Sequence, residues 1–230
     1  MYEYIKSNIN DVKKRIEAAA KKSGRMADDI KLIAVSKNVD IDRIRAAVEY
    51  GINDLGENRV QELLSKYDCL PENVSWHMIG RLQTNKVKYI IDKVTLIHSV
   101  DNLKLLKEID KRAKSINKAI DVLIEVNIAG ETSKGGVPIC DVCDFVQQGS
   151  AFDNVRIEGL MTIAPQVDDP ELTRPYFAKM TELSREIGKM GLRNVEMRYL
   201  SMGMSGDFEV AIEEGSNMVR IGTAIFGERI

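Results

Sequence analysis

The sequence predicts an α/β protein whose eight parallel strands close into a (β/α)8 TIM barrel, with an extra helix before the first strand. Eight short apolar segments alternate with helical segments along the whole chain, with no linker or repeat between them. The length of 230 residues is near that of a typical barrel. An open doubly wound sheet is the alternative, but the turn at Ser36–Asp40 lacks the glycines of a dinucleotide-binding turn. We therefore interpret residues 1–230 as one barrel domain.

The N-terminal segment predicts an amphipathic helix over residues 2–22, and Gly24 ends its pattern. Its apolar residues fall at helical spacing: Ile5, Ile9, Val12 and Ile16. After this helix the helical spacing of apolar residues ends. Residues 31–36 form a short apolar run typical of a strand buried on both faces. A second helix begins near Asp40 and ends at Gly51.

The same unit of strand and helix recurs along the rest of the chain. Short apolar runs predict the other seven strands at 53–55, 75–79, 95–98, 120–127, 156–162, 197–201 and 218–221. The helical segments between them are predicted at 58–68, 84–92, 138–149, 170–189 and 206–214, and Asp101 opens another. This count of eight strands favours the closed barrel.

Charge and composition limit the classes of partner. The 33 Lys and Arg nearly balance the 35 Asp and Glu, so the formal net charge of -2 gives no field that would hold nucleic acid. No window approaches the roughly 18 uninterrupted apolar residues of a membrane span. The first residues lack the basic and then apolar order of a signal peptide. We expect a cytoplasmic protein with no nucleic-acid or membrane partner.

Three cysteines are too few and too unevenly spaced for a disulfide framework. Cys140 and Cys143 form a C-x-x-C pair, which is typical of a redox site or of half a zinc site. No second pair exists, and the only histidines, His77 and His98, are distant in sequence. We therefore favour two partly buried thiols one turn apart on a helix, and no metal site. His98 is either a rim base or a hydrogen-bonded histidine near a strand end, and we favour the second because no carboxylate is in sequence reach.

In such a barrel the functional residues follow the carboxyl ends of the strands. Lys37 follows the first strand, where apolar walls would lower the pKa of its amine and suit it to a Schiff base. Taken alone, it is better interpreted as a solvated lysine. Ser205 lies in a loop after the seventh strand, and Gly222 and Thr223 follow the eighth. Barrels commonly bind phosphate with these two loops, so together they predict a phosphate site instead of two tight turns.

Five segments carry a resemblance to a known family. They are Ala34–Lys37, Gly56–Glu62, Trp76–Lys86, Leu200–Ser205 and Met218–Gly227, and they occur in order and at compatible spacing. In these segments the chain resembles the pyridoxal phosphate homeostasis proteins, which are single-domain relatives of the alanine racemase N-terminal barrel. The resemblance covers essentially the whole chain. It implies an alanine racemase N-terminal-domain-like barrel with pyridoxal 5'-phosphate as its cofactor.

The resemblance also implies seven cofactor-binding residues: Lys37, Asn58, His77, Ser205, Arg220, Gly222 and Thr223. Lys37 matches the lysine that holds the cofactor as a Schiff base, and Arg220 matches the arginine that faces the pyridine nitrogen. The phosphate cradle is matched by Ser205 together with Gly222 and Thr223. The other two residues belong to motifs at the mouth of the barrel, beside the cofactor ring or its surroundings. The glycine-rich residues 127–136 predict a loop that covers the cofactor.

Two functions from different classes follow from this interpretation. A guanidinium does not lose its proton in proteins, so Arg220 can only donate to the pyridine nitrogen, and the unprotonated ring is a weak electron sink. Such a ring serves binding or racemisation better than decarboxylation or transamination. One function is therefore a non-catalytic carrier that binds and buffers pyridoxal phosphate and delivers it to apo-enzymes. The alternative is a pyridoxal phosphate-dependent amino-acid racemase.

Racemisation requires acid–base groups on both faces of the α-carbon. In the alanine racemases one is the Schiff-base lysine and the other is a tyrosine from the C-terminal β-domain of a partner subunit. This sequence has no such domain after its last strand, which favours the carrier. Because the same domain contributes to dimerisation in the racemases, we expect a monomer.

Overall fold

Eight parallel strands form a closed barrel in the computed structural model of the chain, which describes residues 2–131 and 135–228. They are β1 (Lys31–Val35), β2 (Asp54–Glu57), β3 (Ser75–Met78), β4 (Leu96–Val100), β5 (Ile120–Asn127), β6 (Val155–Met161), β7 (Val195–Ser201) and β8 (Met218–Ile221). Each strand pairs with the next in the chain, and β8 pairs back with β1, where Ile33 is opposite Arg220. The predicted (β/α)8 barrel is confirmed.

Helices alternate with the strands on the outside of the barrel. They are α1 (Glu3–Lys22), α2 (Ile41–Glu49), α3 (Val60–Tyr67), α4 (Leu103–Ser115), α5 (Val142–Gly149), α6 (Arg174–Gly188), α7 (Phe208–Glu213) and α8 (Thr223–Phe226). The extra helix α1 lies against α2, α7 and α8, and the four apolar residues of its predicted face are all buried. Each such burial stabilises the fold by about 1.5–3 kcal/mol.

The structure differs from the prediction at several boundaries. The segment predicted as a helix over 84–92 forms a 3-10 helix, Thr84–Tyr89, whose period of three places Val87 and Ile90 on one buried side. Strand β2 continues to Glu57, two residues beyond the predicted end, because Gly56 and Glu57 also pair in register with β3. A two-residue strand, Val137–Pro138, pairs with the end of β5. Of the predicted covering loop, residues 132–134 lie outside the described residues.

The C-x-x-C pair is not two partly buried thiols on one helix. Cys140 is exposed in a 3-10 turn, Ile139–Asp141, and only Cys143 lies on α5, where it is half-buried. Across residues 2–131 and 135–228, no group of three or more His, Cys, Asp or Glu side chains could hold a metal ion. No helix in that part of the chain is both long and apolar enough to cross a membrane.

The inside of the barrel has an apolar layer and a polar layer. Side chains alternate between the two faces of a strand. An inner cluster, which we call the apolar layer, contains one residue from each of six strands: Ile33, Leu96, Leu123, Met161, Tyr199 and Met218. Two residues further along four of these strands, the same face carries His98, Glu125, Ser201 and Arg220. These four residues form the polar layer, which lies between the apolar layer and the carboxyl-terminal mouth of the barrel.

Candidate functional site

Lys37 lies in the turn after β1, half-buried at the mouth of the barrel. Strand β1 pairs with β8, with Ala34 opposite Ile221, so the chain leaves two neighbouring strands at Lys37 and at Gly222. The parallel order of the barrel places both segments at its carboxyl-terminal edge, as predicted. The structure therefore brings the predicted amine and the predicted phosphate loop to one end of the molecule.

A buried network of ionic groups supports the turn that carries Lys37. The ammonium of Lys66, on α3, donates to the carbonyl oxygen of Ser36 at 2.8 Å, to Oε1 of Glu57 at 2.8 Å and to Oε1 of Glu62 at 2.7 Å. The hydroxyl of Ser36 also donates to Oε1 of Glu57 at 2.7 Å. Glu57 is fully buried, and burial raises the pKa of its carboxyl against the opposing hydrogen bonds from Lys66 and Ser36.

The same network holds the other side of the turn. The backbone amide of Asn38 donates to Oε1 of Glu62 at 2.5 Å, and Asn38 has a left-handed φ of 57°. Because Ser36 and Asn38 are both bonded to these charged groups, the backbone on each side of Lys37 is fixed. Lys66 and Glu57 were not among the predicted site residues.

The loops after β7 and β8 meet at Ser205. Its hydroxyl oxygen accepts a hydrogen bond from the backbone amide of Ala224 at 3.3 Å, so this residue lies at the start of α8. Gly222 is buried and Thr223 is exposed. The three residues predicted for a phosphate cradle are thus brought together from two separate loops, with hydroxyl groups and backbone amides available in the same place.

Arg220 lies on β8 inside the barrel and is 4% exposed. Its Nη1 donates to the carbonyl oxygen of Ser201 at 2.7 Å and to the hydroxyl oxygen of the same residue at 2.6 Å, and its Nη2 donates to the carbonyl oxygen of Thr162 at 2.8 Å. These bonds use three of the five N–H groups of a guanidinium. Burial lowers the pKa of Arg220 to about 10, against the longer-range attraction of Asp207 and Glu125, so the group is protonated at neutral pH.

The two histidines lie in the barrel interior behind Arg220. Nδ1 of His98 is 3.0 Å from Oγ of Ser201, and Nε2 of His98 is 3.0 Å from Nδ1 of His77. Nε2 of His77 is 3.0 Å from Oδ1 of Asp54. The prediction of a hydrogen-bonded His98 is confirmed. His77 was predicted at the mouth, beside the cofactor ring or its surroundings. The structure places it in the barrel interior, where both of its ring nitrogens have protein partners, and its contact with a cofactor stays a prediction.

Asn58 follows β2 at the mouth of the barrel and is half-buried. The loop after β3 packs against it so closely that a Cβ on Gly80 would lie 2.4 Å from the carbonyl oxygen of Asn58. Asn58 lines an open cavity of about 700 Å3 together with the cationic residues Arg59, Arg81 and Lys86. Its contact with a cofactor stays a prediction.

Glu125, another residue absent from the prediction, belongs to the polar layer. Burial raises the pKa of its carboxyl to about 6, with a further increase from the charge of Asp101 and an opposing effect of Arg220 and Arg81. Glu125 and Ser201 could have been found from one signal in the sequence. Each is a polar residue two positions after an inward apolar residue, near the carboxyl end of a predicted strand.

Comparisons with known proteins agree with this geometry. The chain matches the family model described as alanine racemase, N-terminal domain, over residues 5–230. It is 49% identical over 222 residues to a protein of Aquifex aeolicus named pyridoxal phosphate homeostasis protein, covering 96% of each chain. It is 34% identical over 235 residues to a protein of the same name from Escherichia coli, covering 98% of this chain and 97% of the relative.

Solved structures show the same fold. PipY of Synechococcus elongatus, solved with pyridoxal phosphate bound, has a TM-score of 0.85 and 30% identity, covering 97% of this chain and 100% of that one. An alanine racemase of Clostridium difficile has a TM-score of 0.76 and 16% identity, covering 98% of this chain and 57% of that one. At that identity the racemase shows a shared fold alone.

Proposed function

The chain belongs to the alanine racemase N-terminal domain family and, within it, to the pyridoxal phosphate homeostasis proteins, and from this we propose that it binds pyridoxal 5'-phosphate at the mouth of its barrel. In this proposal it holds and buffers the cofactor for homeostasis and delivers it to apo-enzymes. The observation that carries the proposal is Arg220. It is a buried cation that uses three of its five N–H groups in hydrogen bonds to the protein, and it lies two residues before Gly222 and the phosphate loop.

The residues at the mouth fit the three polar parts of pyridoxal phosphate. The hydroxyls of Ser205 and Thr223 and the backbone amides near Gly222 suit a phosphate dianion, because hydrogen bonds to a charged acceptor are the strong ones. Arg220 suits the pyridine nitrogen, which is an acceptor when unprotonated. The amine of Lys37 suits the aldehyde. Thus each part of the cofactor meets a group of opposite hydrogen-bonding or chemical character.

When bound, pyridoxal phosphate supplies an aldehyde and an aromatic ring that can withdraw electrons. Lys37 would hold it through its amine, which can condense with an aldehyde by loss of water. Arg220 is a cation at pH 7 even with its lowered pKa of about 10, so it would donate to the ring nitrogen and keep its own proton. An unprotonated ring would be a weak electron sink, which suits storage of the cofactor.

We further propose that the chain acts as one cofactor-binding domain, residues 1–230, and as a monomer in the cytoplasm. The apolar face of α1 is buried against its own barrel. The large apolar side chains exposed in the described residues, among them Met26, Leu172 and Met190, come from separate segments of the chain. Sedimentation equilibrium tests the monomer, and a concentration-dependent mass near twice 25.8 kDa contradicts it.

An amino-acid racemase is the second candidate, and Glu125 is the observation that favours it. Racemisation needs a second acid–base group besides Lys37, and a carboxyl with a pKa of about 6 can exchange protons at neutral pH. Incubation with L-alanine and other amino acids, followed by chiral chromatography, decides between the candidates. Turnover above the rate of free pyridoxal phosphate that is lost in both Lys37→Ala and Glu125→Gln would establish the racemase.

Cofactor transfer tests the carrier directly. Protein loaded with pyridoxal phosphate is freed of excess cofactor by gel filtration and mixed with the apo-form of an enzyme that requires it. We expect the enzyme to regain activity, and we expect Lys37→Ala to deliver less cofactor after the same filtration step. If the filtered wild-type protein restores no more activity than the buffer fraction, delivery is wrong.

A further inference from the structure

The groups behind Arg220 form one continuous chain of hydrogen bonds across the barrel. We propose that Asp54, His77, His98 and Ser201 are positioning residues that hold the guanidinium in a single orientation, with both histidines neutral and in one tautomer. This inference rests on the proposed function, because it explains how Arg220 presents its remaining N–H groups to the cofactor ring. The distances along the chain are 2.6 Å at the Arg220 end and 3.0 Å at each of the other three links.

The direction of every bond in this chain follows from its two ends. A guanidinium can only donate, so the hydroxyl oxygen of Ser201 accepts from Arg220 and its own proton is free to donate. Nδ1 of His98 can accept that proton, or it can donate to the second lone pair of the same oxygen. The Asp54 end of the chain decides between the two.

The Asp54 end sets the direction. Burial acts to raise the pKa of Asp54, but hydrogen bonds from His77 and Lys31 outweigh it, and the pKa is lowered. The ionised carboxylate can only accept, so Nε2 of His77 carries a proton and donates to it. In a neutral His77 the other nitrogen, Nδ1, then accepts from Nε2–H of His98, and a neutral His98 accepts from the Ser201 hydroxyl at Nδ1. With both rings neutral, each histidine is therefore the Nε2–H tautomer.

Burial and charge keep both rings neutral. His77 and His98 are 1% and 0% exposed, so a charge on either ring would be poorly hydrated. A second proton on His77 would also place two N–H donors against each other at the 3.0 Å contact unless His98 changed its tautomer. The charged groups acting on the pair are Asp54, Lys31 and Arg220, and burial lowers the pKa of both histidines.

The hydrogen bonds of Arg220 determine which of its N–H groups can reach the cofactor site. Nη1 of Arg220 is held by Ser201 and Nη2 by the carbonyl of Thr162, which leaves Nε–H and one Nη2–H as the groups that can meet a ligand. Loss of the Ser201 hydroxyl removes the one side-chain hydrogen bond of the guanidinium in the described residues and leaves its two bonds to the backbone carbonyls of Ser201 and Thr162. The guanidinium is then held less tightly, and the ring nitrogen meets a less firmly fixed donor.

The experiment uses the fact that the chain contains only two histidines. Long-range 1H–15N correlation spectra of histidine-labelled protein without added cofactor report the tautomer and charge of each ring. We expect two neutral Nε2–H rings at pH 7. In Ser201→Ala the His98 pattern changes, while Ser201→Thr, which keeps the hydroxyl, retains it. A cationic ring, or an Nδ1–H tautomer at either histidine of the wild type, would overturn the chain.

A second measurement tests the link to the cofactor. We expect Ser201→Ala to bind pyridoxal phosphate at least fivefold more weakly than the wild type, and Ser201→Thr to stay within twofold. Ser216→Ala is the matched control, because Ser216 is equally buried and donates only to backbone carbonyls; it should also stay within twofold. Equal affinities of Ser201→Ala and the wild type would refute the positioning role.

The two measurements separate this inference from the proposed function. If the wild type bound no pyridoxal phosphate, the proposed function would fail, and the tautomers would still decide whether the hydrogen-bond chain exists. If the tautomers were as expected and the cofactor bound with no dependence on Ser201, the chain would be structural and the positioning role wrong.

Discussion

Replacing Lys66 by methionine should damage the fold far more than replacing an exposed lysine. The change removes the ammonium but keeps an unbranched side chain of similar length. Lys66 is 7% exposed and Glu57 is 0% exposed, so Lys66→Met leaves a buried carboxylate whose principal cation has gone. Removing one partner of a buried ion pair typically costs about 3–5 kcal/mol of unfolding free energy. With a urea m-value of about 3 kcal/mol/M, the midpoint falls by about 1 to 1.7 M.

The assay is urea unfolding followed by the fluorescence of Trp76, the single tryptophan, which is buried. The matched control is Lys22→Met, because Lys22 pairs with Glu213 at 2.9 Å but its side chain is 70% exposed. That control should lose far less stability than Lys66→Met, because solvent screens an exposed ion pair. Burial already raises the pKa of Glu57, and loss of Lys66 raises it further, so the deficit of Lys66→Met should shrink as the pH falls from 8 to 5.

Equal losses in the two methionine variants would refute the reasoning, because they would show that burial of the pair contributes nothing. A deficit that grows as the pH falls would refute the assignment to Glu57. The double variant Glu57→Gln with Lys66→Met should recover part of the loss, since it removes the unpaired charge.

Three further predictions concern the site. Burial lowers the pKa of both histidines, so around pH 6.5 these two residues bind more protons in the unfolded state than in the folded state. The unfolding free energy should therefore fall from pH 7 to 6, against the opposite effect of Glu125, whose pKa burial raises, and a rise would contradict this. Pyridoxal should bind far more weakly than pyridoxal phosphate, and equal affinities for the two ligands, measured by titration, would exclude the phosphate cradle. Gly222→Val should lower the affinity for pyridoxal phosphate more than Ser205→Ala. The valine obstructs backbone amides, whereas the serine change removes one hydrogen bond of about 1.5–3 kcal/mol. Arg220→Ala should shift the absorbance of bound cofactor and weaken its binding at least tenfold, whereas an unchanged spectrum and affinity would remove this residue from the site.

Much of the fold was predictable because it follows from local periodicity. The strands are short apolar runs and α1 has apolar residues at helical spacing, because burial on one or both faces of an element imposes those patterns. The 3-10 helix at Thr84–Tyr89 was not predictable, because Val87 and Ile90 have a spacing that an α-helix also allows. Glu57 lies beyond the predicted end of its strand, and its partner Lys66 comes from the following helix.

Part of the candidate site could likewise be predicted from the sequence, and part could not. Ser205, Gly222 and Thr223 were found because loops after consecutive strands carry small and hydroxyl residues. The chain from Asp54 through His77 and His98 was not predictable, since it depends on barrel closure that brings β2, β3, β4, β7 and β8 around one axis. No local pattern relates residues that are 21 and 103 positions apart.

The covalent role of Lys37 is tested most directly by borohydride reduction of the protein mixed with pyridoxal phosphate, followed by peptide mass spectrometry. We expect a visible absorbance band before reduction and a pyridoxyl group on Lys37 after it. The Lys37→Ala variant should form neither, although its phosphate loop is intact. A pyridoxyl group on another lysine, or no modification of the wild type, would contradict cofactor binding at the mouth of this barrel.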